Sequence, residues 1–165
     1  ILETLYSCGL RVSELCNLKI SEIYPKENFI QVTGKGNKQR LVPISHRALH
    51  EIELYMSDRC HIDIDPQCTD FLFLSFRRGR PLTRNMVFLI VRNAAAAAHV
   101  DKTISPHTFR HSFATHLLEG GANLIAIQSM LGHEKISTTE IYTHIDRSRL
   151  RVEIEQHHPR NRDTK

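Results

Sequence analysis

The sequence predicts an α+β fold, a mostly helical domain with a small antiparallel sheet of about three strands. Residues 29–44 are β-rich on both sides of a glycine-containing turn, which is typical of a hairpin. The segments on either side place apolar residues at helical spacing and start or stop at capping residues, proline or glycine. No internal repeat or interior linker divides the 165 residues, so we expect one domain.

The N-terminal part is predicted to contain two helices followed by the sheet. Residues 1–17 have apolar positions at helical spacing, and Gly9 interrupts them, so the helix should break there. A short strand near 20–23 precedes the hairpin, whose strands are 29–33 and 40–44. The hairpin therefore projects a glycine- and lysine-containing turn from the sheet.

The remaining two thirds of the chain is predicted to be helical, because each segment starts with a recognisable cap. Ser45 and Thr83 can cap two helices, and Ser105 followed by proline is a favourable helix start. Gly132 stops the helix before it. A short helix is expected around Tyr142, where a capping-box pattern precedes it. The other helices are expected at about 46–58, 84–99, 106–119, 122–131 and 146–157.

Composition and charge are those of an ordinary globular chain. Apolar residues make up 41% and charged residues 24%, which allows a hydrophobic core. The net charge of +4 permits an anionic partner without requiring one, so a basic face must come from the placement of charges. We find no signal peptide and no apolar run of the ~18 residues that a membrane helix needs. We therefore expect a cytoplasmic protein without a membrane partner.

A tyrosine near the C-terminus closes a series of spaced basic residues. The series supplies a nucleophile, two guanidinium groups, an ammonium group and two imidazoles. Cleavage of a phosphodiester without a metal needs such fixed positive donors, because negative charge develops on the nonbridging oxygens. The residues are Tyr142 with Arg11, Lys35, His107, Arg110 and His133. Their combination predicts metal-free chemistry on a phosphodiester.

Each residue type has a physical role in that chemistry. Arginine binds two oxygens with its planar fork and keeps its charge, so Arg11 and Arg110 are the candidates for charge stabilisation. A tyrosine hydroxyl, with an ordinary pKa of about 10, needs a nearby base or positive charge, and His107 lies on the same helical face as Arg110. Lys35 at the hairpin tip can protonate a leaving hydroxyl, with Lys38 as the near alternative.

Taken singly, the same residues have ordinary structural explanations. Arg11 fits a surface helix position with Glu14 as an i,i+3 ion-pair partner, although Glu14 also fits as a carboxylate that orients Arg11. Lys35 alone fits a solvated turn, and Tyr142 alone fits a core or interface position. The acidic residue of a zinc-protease helix is absent from 107–111, so no metal or other cofactor is expected.

Four ordered segments carry a resemblance to a known family. They are GLRVSEL at 9–15, GKGNKQRLVPI at 34–44, SPHTFRHSFATHLLEGGANL at 105–124 and LGHEKISTTEIYTHI at 131–145. On these segments the chain resembles the catalytic domain of the tyrosine site-specific recombinases, the phage integrase family, and particularly its Xer-type branch for chromosome dimer resolution. The likeness covers most of the chain.

The resemblance implies roles position by position. Attack by the tyrosine on the scissile phosphate would give a 3′-phosphotyrosyl link and a free 5′-hydroxyl. A 5′-hydroxyl from a partner duplex would then reverse the step and form a Holliday junction, with neither ATP nor metal. The implied assignments are Arg11 as the first arginine, Lys35 as general acid toward the 5′-hydroxyl, His107 and Arg110 as a His-x-x-Arg pair, His133 at the phosphate and Tyr142 as nucleophile.

The resemblance also implies a domain organisation and partners. Residues 1–158 would be the catalytic domain, residues 159–165 a flexible tail, and an N-terminal core-binding domain is absent from this sequence. Family members act as tetramers on two DNA duplexes, sometimes with a partner recombinase, and dock a C-terminal segment on the neighbouring subunit. Here that segment would be 146–158, and packing on its own domain is the alternative. Its plausible anchors are Leu150, Val152 and Ile154.

Further basic side chains are candidates for contacts with double-stranded DNA. Such phosphate contacts position a duplex without reading its sequence. Solvated surface charge is the alternative for each of them. The candidates are Lys38, Arg40, Arg77, Arg78, Arg80 and Arg84.

Three other functions remain open at this point. A phage or mobile-element integrase would use the same chemistry on a different target. A type IB topoisomerase-like enzyme would use similar nucleophile logic to relax supercoils. A noncatalytic DNA- or junction-binding module would form no covalent adduct.

Overall fold

The computed structural model of the chain describes residues 1–132 and 147–162. Helices surround a three-stranded antiparallel sheet, which confirms the predicted fold class. Within the described residues, no helix has the length and apolar character needed to cross a membrane. The helices are α1 (Leu2–Cys8), α2 (Val12–Asn17), α3 (His46–Arg59), α4 (Arg84–Ala97), α5 (Pro106–Glu119), α6 (Leu124–Leu131), α7 (Arg147–His157) and α8 (Pro159–Arg162), and the strands are β1 (Ile23–Tyr24), β2 (Phe29–Thr33) and β3 (Gln39–Pro43).

The sheet has the order β1-β2-β3, with each neighbouring pair antiparallel. The hairpin between β2 and β3 pairs Val32 with Arg40 and Ile30 with Val42. A short 3₁₀ turn, Lys35–Asn37, joins these strands. The predicted hairpin is therefore confirmed, whereas the short strand expected near 20–23 begins only at Ile23.

The helices start where their capping side chains are. The Ser45 hydroxyl accepts a hydrogen bond from the Ala48 amide at 3.2 Å, and the Thr83 hydroxyl accepts one from Met86 at 3.3 Å. These bonds satisfy amide groups that have no partner within the first helical turn. Asn123 caps α6, so that helix begins two residues later than the sequence predicted.

Two apolar clusters form the core. The larger cluster contains residues of the four helices α1, α2, α3 and α4 and of the inner face of the sheet. The smaller cluster centres on Phe113 and Met130, both fully buried. Gly9 links them, because its backbone lies directly against the Phe113 ring. A Cβ added to Gly9 would lie 2.4 Å from that ring, and the left-handed φ of 57° also favours glycine. The left-handed conformation ends the first helix at Gly9, and the contact with Phe113 leaves no room for a side chain there.

The C-terminal helix α7 packs on its own domain. Leu150 and Ile154 are buried in the smaller core cluster, whereas Val152 is 43% exposed. Two of the three expected anchors therefore contact the same chain in this structure. A flexible tail was expected over 159–165, but its first four residues form α8, and 163–165 lie outside the described residues.

His158 joins α7 to the rest of the fold and is fully buried. Its ring lies 4.9 Å from the Tyr6 ring and 5.6 Å from the Phe113 ring, measured between centroids. The pKa of His158 is lowered to about 4, mainly by burial and to a smaller extent by the neighbouring His116 and Arg160, against a hydrogen bond with the Tyr6 backbone that raises it. The buried imidazole is therefore neutral at neutral pH.

We predict that the domain loses stability when His158 is forced to take a proton. The pKa in the folded state lies below the ordinary value, so the stabilisation is complete above about pH 6.5 and is lost as the pH falls toward 4. The loss should reach up to about 3 kcal/mol, measured as the free energy of unfolding in urea. His158→Gln should flatten this dependence between pH 6.5 and 4, whereas His50→Gln, at an exposed histidine, should leave it unchanged. An equal pH slope in both variants would contradict the prediction.

Candidate active site

Arg11 is held by the turn that follows Gly9. Its backbone amide donates to Glu14 Oε2 at 2.8 Å, and its Nη1 donates to Glu14 Oε1 at 2.9 Å. The predicted i,i+3 ion pair is therefore present, with Glu14 buried and the Arg11 side chain 37% exposed. Because the carboxylate fixes both the backbone and the guanidinium of Arg11, the exposed edge of the guanidinium keeps a defined direction.

Arg110 projects from α5 between two backbone carbonyl groups. Nη1 donates to Gly9 O and Nη2 donates to Leu131 O, both at 2.7 Å. The guanidinium therefore bridges the break between α1 and α2 and the end of α6. A planar fork is needed for this bridge, because a single ammonium group cannot satisfy two separated acceptors with the same geometry.

Three arginines donate to carbonyl groups at the C-terminal end of α6, including that of its capping residue Gly132. Arg40 Nε binds Met130 O at 2.7 Å, and Arg11 Nη2 binds Gly132 O at 3.2 Å, with the Leu131 carbonyl between them bound by Arg110. These carbonyls lack partners within the helix and carry its partial negative charge, so they attract cations. We call Arg11, Arg40 and Arg110 with Glu14 the arginine cluster.

The arginine cluster carries an excess of positive charge. Three guanidinium groups face one carboxylate, which leaves two positive charges without an acidic partner in the cluster. Burial, followed by the charges of Arg11 and Arg40, lowers the pKa of Arg110 to about 10, while the charge of Glu14 opposes this shift. These surroundings destabilise the charged form of Arg110, and an incoming anion would relieve this effect. The geometry therefore fits an oxyanion such as a phosphate.

Two other predicted site residues, Lys35 and His107, lie on segments that contain or contact members of the arginine cluster. Lys35 begins the turn between β2 and β3, directly after Gly34. A Cβ on Gly34 would lie 3.4 Å from Arg40 Nη1 and 3.6 Å from Glu14 Oε1, so this turn starts against the arginine cluster. His107 is exposed on α5, one helical turn before Arg110.

His133 and Tyr142 lie outside the described residues. Gly132, with a left-handed φ of 65°, ends α6 directly before His133. The helix end that the three arginines hold is therefore also the start of the segment that carries both residues. Their roles stay predictions.

The candidate DNA contacts divide into exposed and enclosed side chains. Lys38, Arg77, Arg78 and Arg84 are exposed, as the prediction requires, and so is Arg80, which pairs with Asp65 at 2.9 Å. Arg40 differs, because its side chain is only 14% exposed and its guanidinium binds protein groups. A phosphate contact by Arg40 stays a prediction, but the structure gives this residue partners that sequence reasoning missed.

The period of β3 is the signal that points to the interior position of Arg40. Residues two apart on a strand face the same side, and Val42 is fully buried. Arg40 therefore lies on the inward face of the hairpin. Its partners, however, come from distant parts of the chain and carry no local signal.

Comparison with known proteins identifies the family. The model of the phage integrase family matches residues 1–149. Together with the mostly helical fold and the arginine cluster, this match shows that the chain belongs to the phage integrase family. The resemblance to that family is confirmed.

Similar relatives include recombinases of the Xer group. Tyrosine recombinase XerD of Chlorobaculum tepidum is 47% identical over 97% of this chain, which covers 52% of that protein. The crystal structure of XerA recombinase superposes with a TM-score of 0.73 at 38% identity, covering 95% of this chain and 56% of the other. The structure of XerH bound to its difH substrate superposes with a TM-score of 0.69 at 28% identity, covering 87% of this chain and 41% of the other. This chain thus spans about half the length of the curated relatives it matches.

Proposed function

We propose that this chain is the catalytic domain of an Xer-like site-specific recombinase that cleaves and rejoins double-stranded DNA. The covalent intermediate would be a 3′-phosphotyrosyl link to Tyr142. The observation that carries the proposal is the arginine cluster, which gathers guanidinium groups at the helix end directly before His133. Such preorganised donors are what the transition state of phosphodiester cleavage requires.

The proposed reaction is balanced within the chain and the substrate. The phenol oxygen of Tyr142 forms a bond to phosphorus, and the bond between phosphorus and the 5′-oxygen breaks. The phenol proton passes to a base, for which His107 and His133 are the candidates. Lys35 donates a proton of its own to the leaving 5′-oxygen. A 5′-hydroxyl from a second duplex then attacks the phosphorus, and the bond between phosphorus and the Tyr142 oxygen breaks. The attacking hydroxyl gives its proton to Lys35, and the base returns a proton to the Tyr142 oxygen.

Three other tyrosines are poorly suited as the nucleophile. Burial raises the pKa of Tyr6, whose hydroxyl binds His116 Nδ1 at 2.7 Å, and burial also raises the pKa of Tyr55, whose hydroxyl accepts from the Leu74 amide. A phenol is a better nucleophile when a nearby positive charge lowers its pKa, and the surroundings of Tyr6 and Tyr55 have the opposite effect. Tyr24 lies on β1, where its hydroxyl donates to Gln31 at 3.3 Å. These contacts favour Tyr142 among the four tyrosines of the sequence.

DNA as the partner is supported by the similar proteins. The solved XerH structure contains its difH substrate before cleavage, and the XerD relatives are similar to this chain over nearly its whole length. We propose that two duplexes are joined by a tetramer, with a partner recombinase as an open alternative to four identical subunits. The exposed basic side chains Lys38, Arg77, Arg78 and Arg84 would contact the phosphate backbone.

Exchange of the C-terminal helix would require α7 to leave its own core. Leu150 and Ile154 are buried in that core, and Val152 is exposed. Transfer of α7 to a neighbouring subunit would therefore replace contacts within the chain by equivalent contacts between subunits. We propose this exchange as part of tetramer formation on DNA.

The test is to trap the covalent intermediate with the full-length protein. Genomic fragments that the protein binds are selected first, and a nick is placed beside the candidate cleavage position so that the short fragment diffuses away after cleavage. We expect a protein–DNA adduct in EDTA, with peptide mapping of the adduct to Tyr142. Release of the short strand with a free 5′-hydroxyl should accompany it.

The other outcomes reject the proposal in different ways. Tight binding without an adduct would identify a noncatalytic DNA- or junction-binding module. An adduct with relaxation of supercoils, but without recombination of paired sites, would identify a topoisomerase-like enzyme. Recombination of mobile-element ends, but not of chromosomal sites, would identify an integrase.

A further inference from the structure

Arg40 occupies the centre of the arginine cluster. It lies on β3 opposite Val32, and its side chain is 14% exposed. Nη1 and Nη2 donate to the two oxygens of Glu14 at 2.8 and 2.9 Å, and Nε donates to Met130 O at 2.7 Å. This arrangement uses the full fork of the guanidinium, so the orientation of Arg40 is fixed.

Glu14 is shared between Arg40 and Arg11. While both of its oxygens accept from Arg40, Oε2 also accepts from the Arg11 amide and Oε1 from Arg11 Nη1. The carboxylate is almost completely buried, with 2% of the side chain exposed. Arg40 therefore supplies much of the positive charge that keeps Glu14 ionised and in place beside Arg11.

Arg40 also contacts the two segments that lead to the remaining site residues. A Cβ on Gly34, directly before Lys35, would lie 3.4 Å from Arg40 Nη1. A Cβ on Gly132, directly before His133, would lie 3.2 Å from Arg40 Cδ. One side chain is thus packed against the start of the lysine turn and the end of α6.

We propose that Arg40 is a positioning residue of the active site, which orients Arg11 through Glu14 and holds the end of α6 beside the turn that begins at Lys35. It would do so without touching the scissile phosphate. This inference rests on the proposed function, because it assigns Arg40 a task in the same reaction.

Besides holding Glu14 in place, Arg40 affects the protonation of this carboxylate. Burial raises the pKa of Glu14. The hydrogen bonds and charge of Arg40, followed by the hydrogen bonds of Arg11, outweigh this effect, so the pKa is lowered. Removing Arg40 leaves burial opposed mainly by Arg11. The pKa of Glu14 should then rise, and protonation at low pH should release the Arg11 guanidinium.

The experiment compares Arg40→Gln and Arg40→Lys with the wild-type full-length protein. The control is Arg47→Gln, because Arg47 is 54% exposed and pairs with Glu3, away from the arginine cluster. We measure the rate of adduct formation on the nicked duplex from pH 5 to 8, and the affinity for the same duplex. Arg40→Gln should slow the reaction by about 10- to 100-fold at pH 7, a loss below that expected for a direct phosphate donor.

Three features should separate positioning from other roles. The deficit of Arg40→Gln should deepen as the pH falls, affinity for DNA should stay within about threefold, and Arg40→Lys should restore part of the rate because it keeps a charge beside Glu14. A direct phosphate contact would instead weaken binding and lower the salt slope by about one. A deficit that is equal at every pH and that Arg40→Lys does not reduce would show a merely structural role. Either result would overturn the proposal.

A titration without DNA keeps the two proposals distinguishable. The carboxyl carbon of Glu14 is followed by NMR in wild type, Arg40→Gln, Arg40→Lys and Arg47→Gln. The pKa of Glu14 should rise in Arg40→Gln and stay unchanged in Arg47→Gln, and Arg40→Lys supplies the measurement if Arg40→Gln does not fold. If wild type forms no adduct, the proposed function fails, and this titration decides the link between Arg40 and Glu14. An unchanged pKa in both Arg40 variants would overturn that link.

Discussion

Tyr142→Phe is expected to abolish formation of the covalent adduct while leaving DNA binding intact. The substitution removes one oxygen atom, which is the atom proposed to bond to phosphorus. A phenylalanine ring keeps the shape of the side chain but offers no nucleophile. The rate of adduct formation on the nicked duplex should therefore fall to the background without enzyme, and the affinity for the same duplex should not change.

The matched control is Tyr24→Phe, which removes the same atom from a tyrosine on β1. The structure describes one hydrogen bond for this hydroxyl, a donation to Gln31 at an exposed position. Adduct formation should proceed at the wild-type rate in this variant. Wild-type cleavage by Tyr142→Phe, or cleavage that appears only with added magnesium, would contradict the assignment of the nucleophile.

Arg110→Lys is expected to lower the rate of strand cleavage by roughly 10²-fold or more, which is the effect of losing one preorganised donor. Arg110 holds two carbonyl oxygens at once, Gly9 O and Leu131 O, and lysine cannot reproduce this fork. Burial, and then the charges of Arg11 and Arg40, lower the pKa of the guanidinium to about 10. The same surroundings act on a lysine that starts from a lower ordinary pKa.

The ammonium group introduced by Arg110→Lys should therefore lose its proton within the working pH range, whereas the arginine keeps its charge. The residual rate of Arg110→Lys should fall as the pH rises from about 6 to 9, and the wild-type enzyme should lack this additional decline. Arg92→Lys is the control, because Arg92 is exposed on α4. A rate for Arg110→Lys within about threefold of wild type would show that the guanidinium of Arg110 is not needed to stabilise the phosphate.

The local parts of this fold follow from the sequence. Glycine marks the turn of the hairpin and the helix ends at Gly9 and Gly132. Ser45 and Thr83 cap their helices as expected. Such signals act over a few residues, so they can be recognised without knowledge of the packing. The ion pair between Arg11 and Glu14 belongs to the same group, because its partners are three residues apart.

The parts that the sequence did not predict depend on contacts between distant segments. Arg40 and Met130 lie 90 residues apart in the chain, and only the assembled core brings α6 against β3. The anchors of α7 are an intermediate case. Leu150 and Ile154 are four residues apart and face the same side of the helix, whereas Val152 falls on another side and is exposed.

The end of α6 has one consequence for how substitutions combine. Three consecutive carbonyl groups are divided among Arg40, Arg110 and Arg11, so a displacement of that end loosens three guanidinium groups at the same time. Energetic effects at these positions are therefore coupled and do not sum. A movement of the chain after Leu131 would therefore change the orientation of all three guanidinium groups of the arginine cluster together.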